Sequence, residues 1–70
     1  MNKKILEEIK NEIVKVFYRD QEIEGILRDV EEDRITVELI DWIVGVPDGR
    51  YFNILIKDIS YIGIFTMKKD

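Results

Sequence analysis

The sequence predicts a mainly β fold: one N-terminal α-helix followed by a five-stranded, strongly bent antiparallel sheet that closes as a small barrel. Three observations predict it. The 70 residues hold thirteen isoleucines and six valines but no alanine, a bias toward β-branched side chains that pack well on a pleated surface. The apolar spacing changes from about four residues to two at Val14, which is the switch from helix to strand. Turn residues then recur at short intervals, as they do between the strands of a small barrel.

A chain of this length makes a single domain, residues 1–70. Such a domain buries only about 60% of its unfolded surface, so its core is thin and association adds stability.

The elements follow in order. Asn2 is a helix N-cap, and Ile5, Leu6, Ile9 and Ile13 form an apolar stripe on a charged segment, so a helix is expected over about residues 3–12 with that stripe covering one end of a barrel over about 13–66. VKVFY alternates as a first strand and ends in the turn RDQE. IEGILRDV opens the second, and its apolar phase slips between Leu27 and Val30. A β-bulge near Arg28–Asp29 repairs the phase, setting Val30 opposite Ile35, Leu27 opposite Val37 and Gly25 opposite Leu39. Gly25 then marks a place where backbones approach closely.

RITVELIDWIV reads as one long third strand whose apolar parity switches near Leu39, implying a second bulge or strong coil there. PDGR, residues 47–50, reads as the hairpin turn. YFNILI is the fourth strand, residues 58–60 a tight turn, and YIGIF the fifth, before a solvated MKKD tail.

Composition narrows function. With no cysteine and no histidine, there is no thiolate site, no usual general base and no common metal ligand. Ser60, Thr36 and Thr66 have no conventional base nearby, so no enzyme, no catalytic residue and no cofactor are expected. The start MNKKILEEIK lacks the apolar run of a signal peptide, and LIDWIVGVP is too short to span a bilayer. A soluble, cytoplasmic protein that makes no membrane contact is expected.

Net charge is −4, unevenly spread: residues 20–41 carry nine acids against Arg28 and Arg34. That segment should repel phosphate, while the rest is mildly attractive to it. Glu31, Glu32 and Asp33 stand together in one turn. They read as a solvated turn that discourages edge pairing; three adjacent acids lack the alternating geometry of a Mg²⁺ or Ca²⁺ loop, and no metal site is expected.

The pattern Ile23-x-Gly25-x-Leu27-x-x-Val30, with the leading helix, the long bent strand and the closing IKDISYIGI, resembles the Sm-like family of small β-barrels, the Lsm and Hfq type. SH3-like barrels of the RimP C-terminal type are a near relative, since Asp58, Ile59 and Ile62 match their closing Asp-Ile-x-x-Ile turn. The resemblance implies an Sm-like/SH3-like barrel acting as an RNA-binding module in a homo-oligomeric ring. By it, Glu31 stands at the family's RNA-contacting Asp, Arg34 at the stacking side chain, Thr36 at the Asn and Lys57 at the Arg. None is identical: Thr lacks the amide that reads a pyrimidine edge, and Lys lacks the planar fork.

Each candidate also has a plainer reading. Lys57 is either an RNA contact or an exposed strand-end lysine. Lys3, Lys4 and Lys10 either meet RNA on the helical face or pair with Glu7 and Glu8. Trp42, Val44, Tyr51 and Phe52 either stack bases or form a subunit interface, the latter favoured because few cations interleave them. In the family the fourth strand of one subunit pairs with the fifth of the next, which adds Ile54, Tyr61 and Ile64 to the expected interface. The partners expected are further copies of the chain, with single-stranded RNA or a basic protein as alternatives. The second function considered is a protein-interaction or assembly subunit of the same fold that binds no RNA.

Overall fold

The computed structural model describes residues 2–65. The expected end of the barrel at Thr66 and the MKKD tail lie outside the described residues.

The chain is mainly β. A short helix α1 (Lys3–Glu8) precedes β1 (Ile13–Tyr18), β2 (Gln21–Val30), β3 (Arg34–Asp41), β4 (Val46–Leu55), a 3₁₀ turn (Ile56–Asp58) and β5 (Ile59–Ile64). The strands form one antiparallel sheet in the order β4-β3-β2-β1-β5.

Asn2 caps α1 by accepting a hydrogen bond from the Lys4 amide. The helix stops at Glu8, short of the expected residue 12, because the chain turns to meet β2. Asn11 takes a positive φ of 73°; its amide donates to the Leu27 carbonyl at 2.6 Å, and Leu27 donates to Glu12 at 3.0 Å. Only Leu6 of the helix is buried; Ile5, expected on the inward stripe, faces solvent.

The β1–β2 turn has Arg19 and Asp20 both at positive φ, 48° and 60°, as a two-residue hairpin requires. Between β2 and β3 the register is the one the sequence implies. Gly25 pairs with Leu39, Leu27 with Val37 and Val30 with Ile35, and the shift falls between Leu27 and Asp29. A Cβ on Gly25 would overlap the Glu38 carbonyl oxygen and lie 2.7 Å from Val37 Cγ1, so only glycine permits this approach.

The parity switch in β3 is also found. Ile35 and Val37 are buried on one face, then Glu38 and Ile40 on the other, with a register shift against β4 between Glu38 and Ile40. The expected hairpin turn is displaced. The chain reverses at residues 42–45, where the Gly45 amide donates to the Asp41 carbonyl at 2.7 Å, the Ile43 amide donates to Asp41 Oδ1 at 3.0 Å, and Gly45 sits at φ 76°. PDGR lies inside β4 instead. Glu38 pairs with Tyr51 and Ile40 with Pro47, so β4 spends four residues where β3 spends two, and Gly49 at φ 84° carries the bulge.

The sheet curls but does not close into the expected barrel. β4 and β5 lie at opposite edges, about 19 Å apart across a flat five-stranded sheet, yet the four steps from Leu55 to Ile59 reach at most about 14 Å. The short connection therefore draws the two edges toward each other at this end. The Ile56 amide donates to the Asp33 carbonyl at 2.8 Å. Along their lengths the edges stay unpaired, because β5 hydrogen-bonds to β1 and β4 to β3. Leu6, Val14, Val16, Leu27, Ile35, Val37 and Ile54 fill the concave side, each removed from water at roughly 25 cal/mol per Å² of apolar area.

Candidate functional site

Two regions could meet a partner. The first is the junction where the β2–β3 turn meets the 3₁₀ turn. An open pocket of about 610 Å³ lies there, lined by Glu32, Asp33, Leu55, Ile56, Lys57 and Ile59. The backbone bond from Ile56 to Asp33 holds its two sides together.

Three of the four residues expected to contact RNA lie at or beside this junction, and Thr36 lies two residues along β3. Glu31 is exposed, and its amide donates to the Arg34 carbonyl at 2.8 Å. Arg34 turns its fork onto Asp33, Nε to Oδ1 at 3.0 Å and a terminal nitrogen to Oδ2 at 3.1 Å; that grip holds the Asp33 carboxyl below its ordinary value. The ion pair occupies the edge of the guanidinium, not its planar face. Thr36 donates its hydroxyl to Asn53 Oδ1 across the β3–β4 pair at 2.9 Å. Lys57 is exposed on the pocket rim and has no ion-pair partner among the described residues.

The acidic segment is less bare than its sequence suggests. Lys3 reaches Glu32 at 2.9 Å, Lys10 reaches Asp29 at 3.9 Å, and Lys15 stands 3.3 Å from both Glu22 and Glu24. The hydrogen bond to Glu32 raises the Lys3 pKa, and Glu24 first, then Glu22, raises that of Lys15. Arg28 donates to Glu38, the one charged residue in the buried set, at 2.8 Å. Lysines that local spacing assigns to i,i+4 partners are spent mainly on distant acids, although Lys3 also lies 3.8 Å from Glu7. Among the described residues no three acidic side chains converge as metal ligands.

The second region is apolar and lies along the sheet edges and the β3–β4 tip. Tyr51 and Phe52 on β4, and Tyr61 and Ile64 on β5, are exposed, as the interface expectation requires of them. Trp42 and Val44 are exposed too, but on the turn rather than in a strand. Ile54 departs from the expectation: at 2% exposure it belongs to the core and offers nothing to a neighbour. It shares a strand face with Phe52, but it lies deeper along that face, opposite the fully buried Ile35, whereas Phe52, opposite Val37, is left 38% exposed. Ile43, 95% exposed, and Val46 belong to this surface and were hidden in the sequence by the strand-like run around them.

Trp42 packs on Phe65 with centroids 5.4 Å apart, and Phe17 packs on Tyr61 at 5.7 Å. Among the described residues no helix is long and apolar enough to cross a membrane. Compared with family models, curated proteins and solved structures, the chain finds no match.

Proposed function

We propose that the chain is a non-catalytic assembly module of Sm-like build, working in the cytoplasm, whose copies join edge to edge into a homo-oligomer. The observation that carries this reading is the pair of open sheet edges, each bearing exposed large apolar side chains: Tyr51 and Phe52 on β4, Tyr61 and Ile64 on β5. An unpaired edge templates another strand, and proteins that stay monomeric guard it with charge, proline or a cover. Here Pro47 and Arg50 guard only the outer half of β4, while β5 has no charged residue. Pairing β4 of one copy with β5 of the next satisfies both rows of backbone groups and hides four large side chains.

Light scattering on a sizing column tests it. The native chain elutes as a multimer, and a Phe52→Lys, Tyr61→Lys variant, charged on both edges, elutes as a folded monomer. A native monomer, or a multimer indifferent to both lysines, refutes the reading.

Association with single-stranded RNA is the second reading, favoured by Lys57. It is an exposed cation without an ion pair among the described residues, on a pocket between the two turns that the family resemblance assigns to RNA. The engaged Arg34 and the acidic rim weigh against tight binding, since affinity for nucleic acid rests mainly on neutralised phosphates. Fluorescence anisotropy with uridine- and adenine-rich oligomers decides it: binding weakens steeply with salt and with Lys57→Gln. Absence of signal at low salt ends this reading and leaves the assembly reading intact.

A further inference from the structure

We infer that the Asp48–Gly49 link in β4 is a site of self-modification, isomerising to isoaspartate through a cyclic imide, and that Arg50 is the positioning residue that restrains it. Asp48 alone among the aspartates and asparagines precedes a glycine. Ring closure brings the main-chain nitrogen of the following residue onto the side-chain carboxyl carbon, and a side chain on that residue crowds the approach. Gly49 has none, and it stands at φ 84° with nothing within 4 Å of where a Cβ would lie. Residues 48–50 also have no partner in the β3–β4 register, which passes from Pro47 to Tyr51. No ladder pairing therefore holds this peptide link in place.

The reaction needs only water. The Gly49 nitrogen attacks Asp48 Cγ of the neutral carboxyl group and the N–Cγ bond forms. A carboxyl oxygen leaves as water, carrying the carboxyl proton and the amide proton. Water then opens the ring. Cleavage of the N–Cγ bond restores aspartate. Cleavage of the bond between that nitrogen and the Asp48 main-chain carbonyl leaves isoaspartate, whose main chain runs through Cβ and Cγ. The chain is then longer by a methylene inside the bulge, between Pro47, opposite Ile40, and Tyr51, opposite Glu38.

The folded bulge opposes the first step in two ways. The Arg50 amide donates to Asp48 Oδ1 at 2.9 Å, and its Nε and a terminal nitrogen donate to Oδ2 at 2.8 and 2.6 Å. Turning the carboxyl carbon onto the Gly49 nitrogen breaks these bonds. The side-chain hydrogen bond from Arg50 first, then the one from its amide, also holds the Asp48 carboxyl below its ordinary value, so the neutral acid that cyclises is scarce. Asp41 favours the charged form of Arg50 and so supports the grip.

The test follows the full chain and its Arg50→Gln and Arg50→Lys variants during incubation at neutral pH and physiological temperature. Isoaspartate is located by electron-transfer fragmentation in a mass spectrometer. The Arg50 side chain is 71% exposed, so both variants keep the fold, which circular dichroism checks. The expected result is isoaspartate confined to position 48, forming several-fold faster in Arg50→Gln than in the native chain. Arg50→Lys falls between, since it keeps the charge without the fork. In urea, where no folded grip survives, all three chains convert at one rate. Equal rates in the folded chains, or no isoaspartate at position 48 in folded Arg50→Gln, overturn the inference. A difference that persists in urea overturns it as well, because it then belongs to the local sequence and not to the fold. So does a rise in hydrogen exchange along β4 by the same factor as the rate, which assigns the effect of Arg50 to fraying of the strand.

Discussion

Gly25→Ala is the sharpest perturbation of this fold. At an exposed strand position that change would stabilise by about 0.4–1 kcal/mol, because alanine restricts the unfolded chain. At Gly25 the added methyl meets the Glu38 carbonyl oxygen and lies 2.9 Å from the Glu38 carbonyl carbon and 2.7 Å from Val37 Cγ1. Two of those atoms are backbone, and Val37 is fully buried, so none can yield without moving β3 away from β2. Overpacking of this kind costs about 1–3 kcal/mol. A domain of this size has only roughly 4–10 kcal/mol of stability in total. At about 4–8 °C per kcal/mol, a 3 kcal/mol loss lowers Tm by about 12–24 °C. Thermal and urea unfolding followed by circular dichroism measure it, with an unchanged urea m-value confirming a folded-state effect. Gly45→Ala is the control: it sits at φ 76° with nothing within 4 Å, so it costs only the left-handed backbone term of about 1–2 kcal/mol. A Gly25→Ala variant as stable as the native chain refutes the close-approach argument.

Asp20→Gly removes a non-glycine residue from φ 60° and is expected to raise stability by up to about 1 kcal/mol, read as a higher Tm; a lower Tm contradicts the turn geometry. Arg28→Ala strips the partner from Glu38, whose side chain is 9% exposed. With Arg28 itself half open to water, the loss in urea unfolding is expected at about 1–3 kcal/mol, and Arg28→Lys recovers part of it. The Asp33 carboxyl, gripped by Arg34, titrates below its ordinary 3.8. The folded state thus holds the charged form more tightly than the unfolded chain does. The stability this gives is present above the ordinary value and disappears as pH falls through the lowered one. Carboxyl NMR titration checks the shift, and Arg34→Gln returns Asp33 to the ordinary range.

Much of the fold was legible because register obeys arithmetic. The slip between Leu27 and Val30 demanded one extra residue, and three pairs across β2 and β3 followed from it. The Asn2 cap was legible in the same local way. The hairpin was not: apart from Asp41 and Gly45, LIDWIVGV is apolar, so periodicity extends the strand through it. What turns the chain is Asp41 accepting from the Ile43 amide, with Gly45 in the left-handed region. PDGR, the stronger turn signal, is absorbed as a bulge because the ribbon has already reversed. Closure failed as an expectation for a related reason, since strand count does not fix whether the last edge meets the first. At the candidate site, residue types marked the acidic turn and Lys57. The pairs that neutralise that turn join residues as far apart as Lys3 and Glu32, and no local pattern reveals them.

The uneven immersion of β4 gives one strand two lifetimes. Near the 3₁₀ turn it is anchored by Ile54; in its outer half, Val46 to Arg50, every residue but Asp48 is exposed. The outer half can therefore fray while the inner half stays put, with amide exchange slowing stepwise toward Leu55. Proteolytic nicking would begin at that outer half, and a binding partner that clamps it would show itself first as protected amides there.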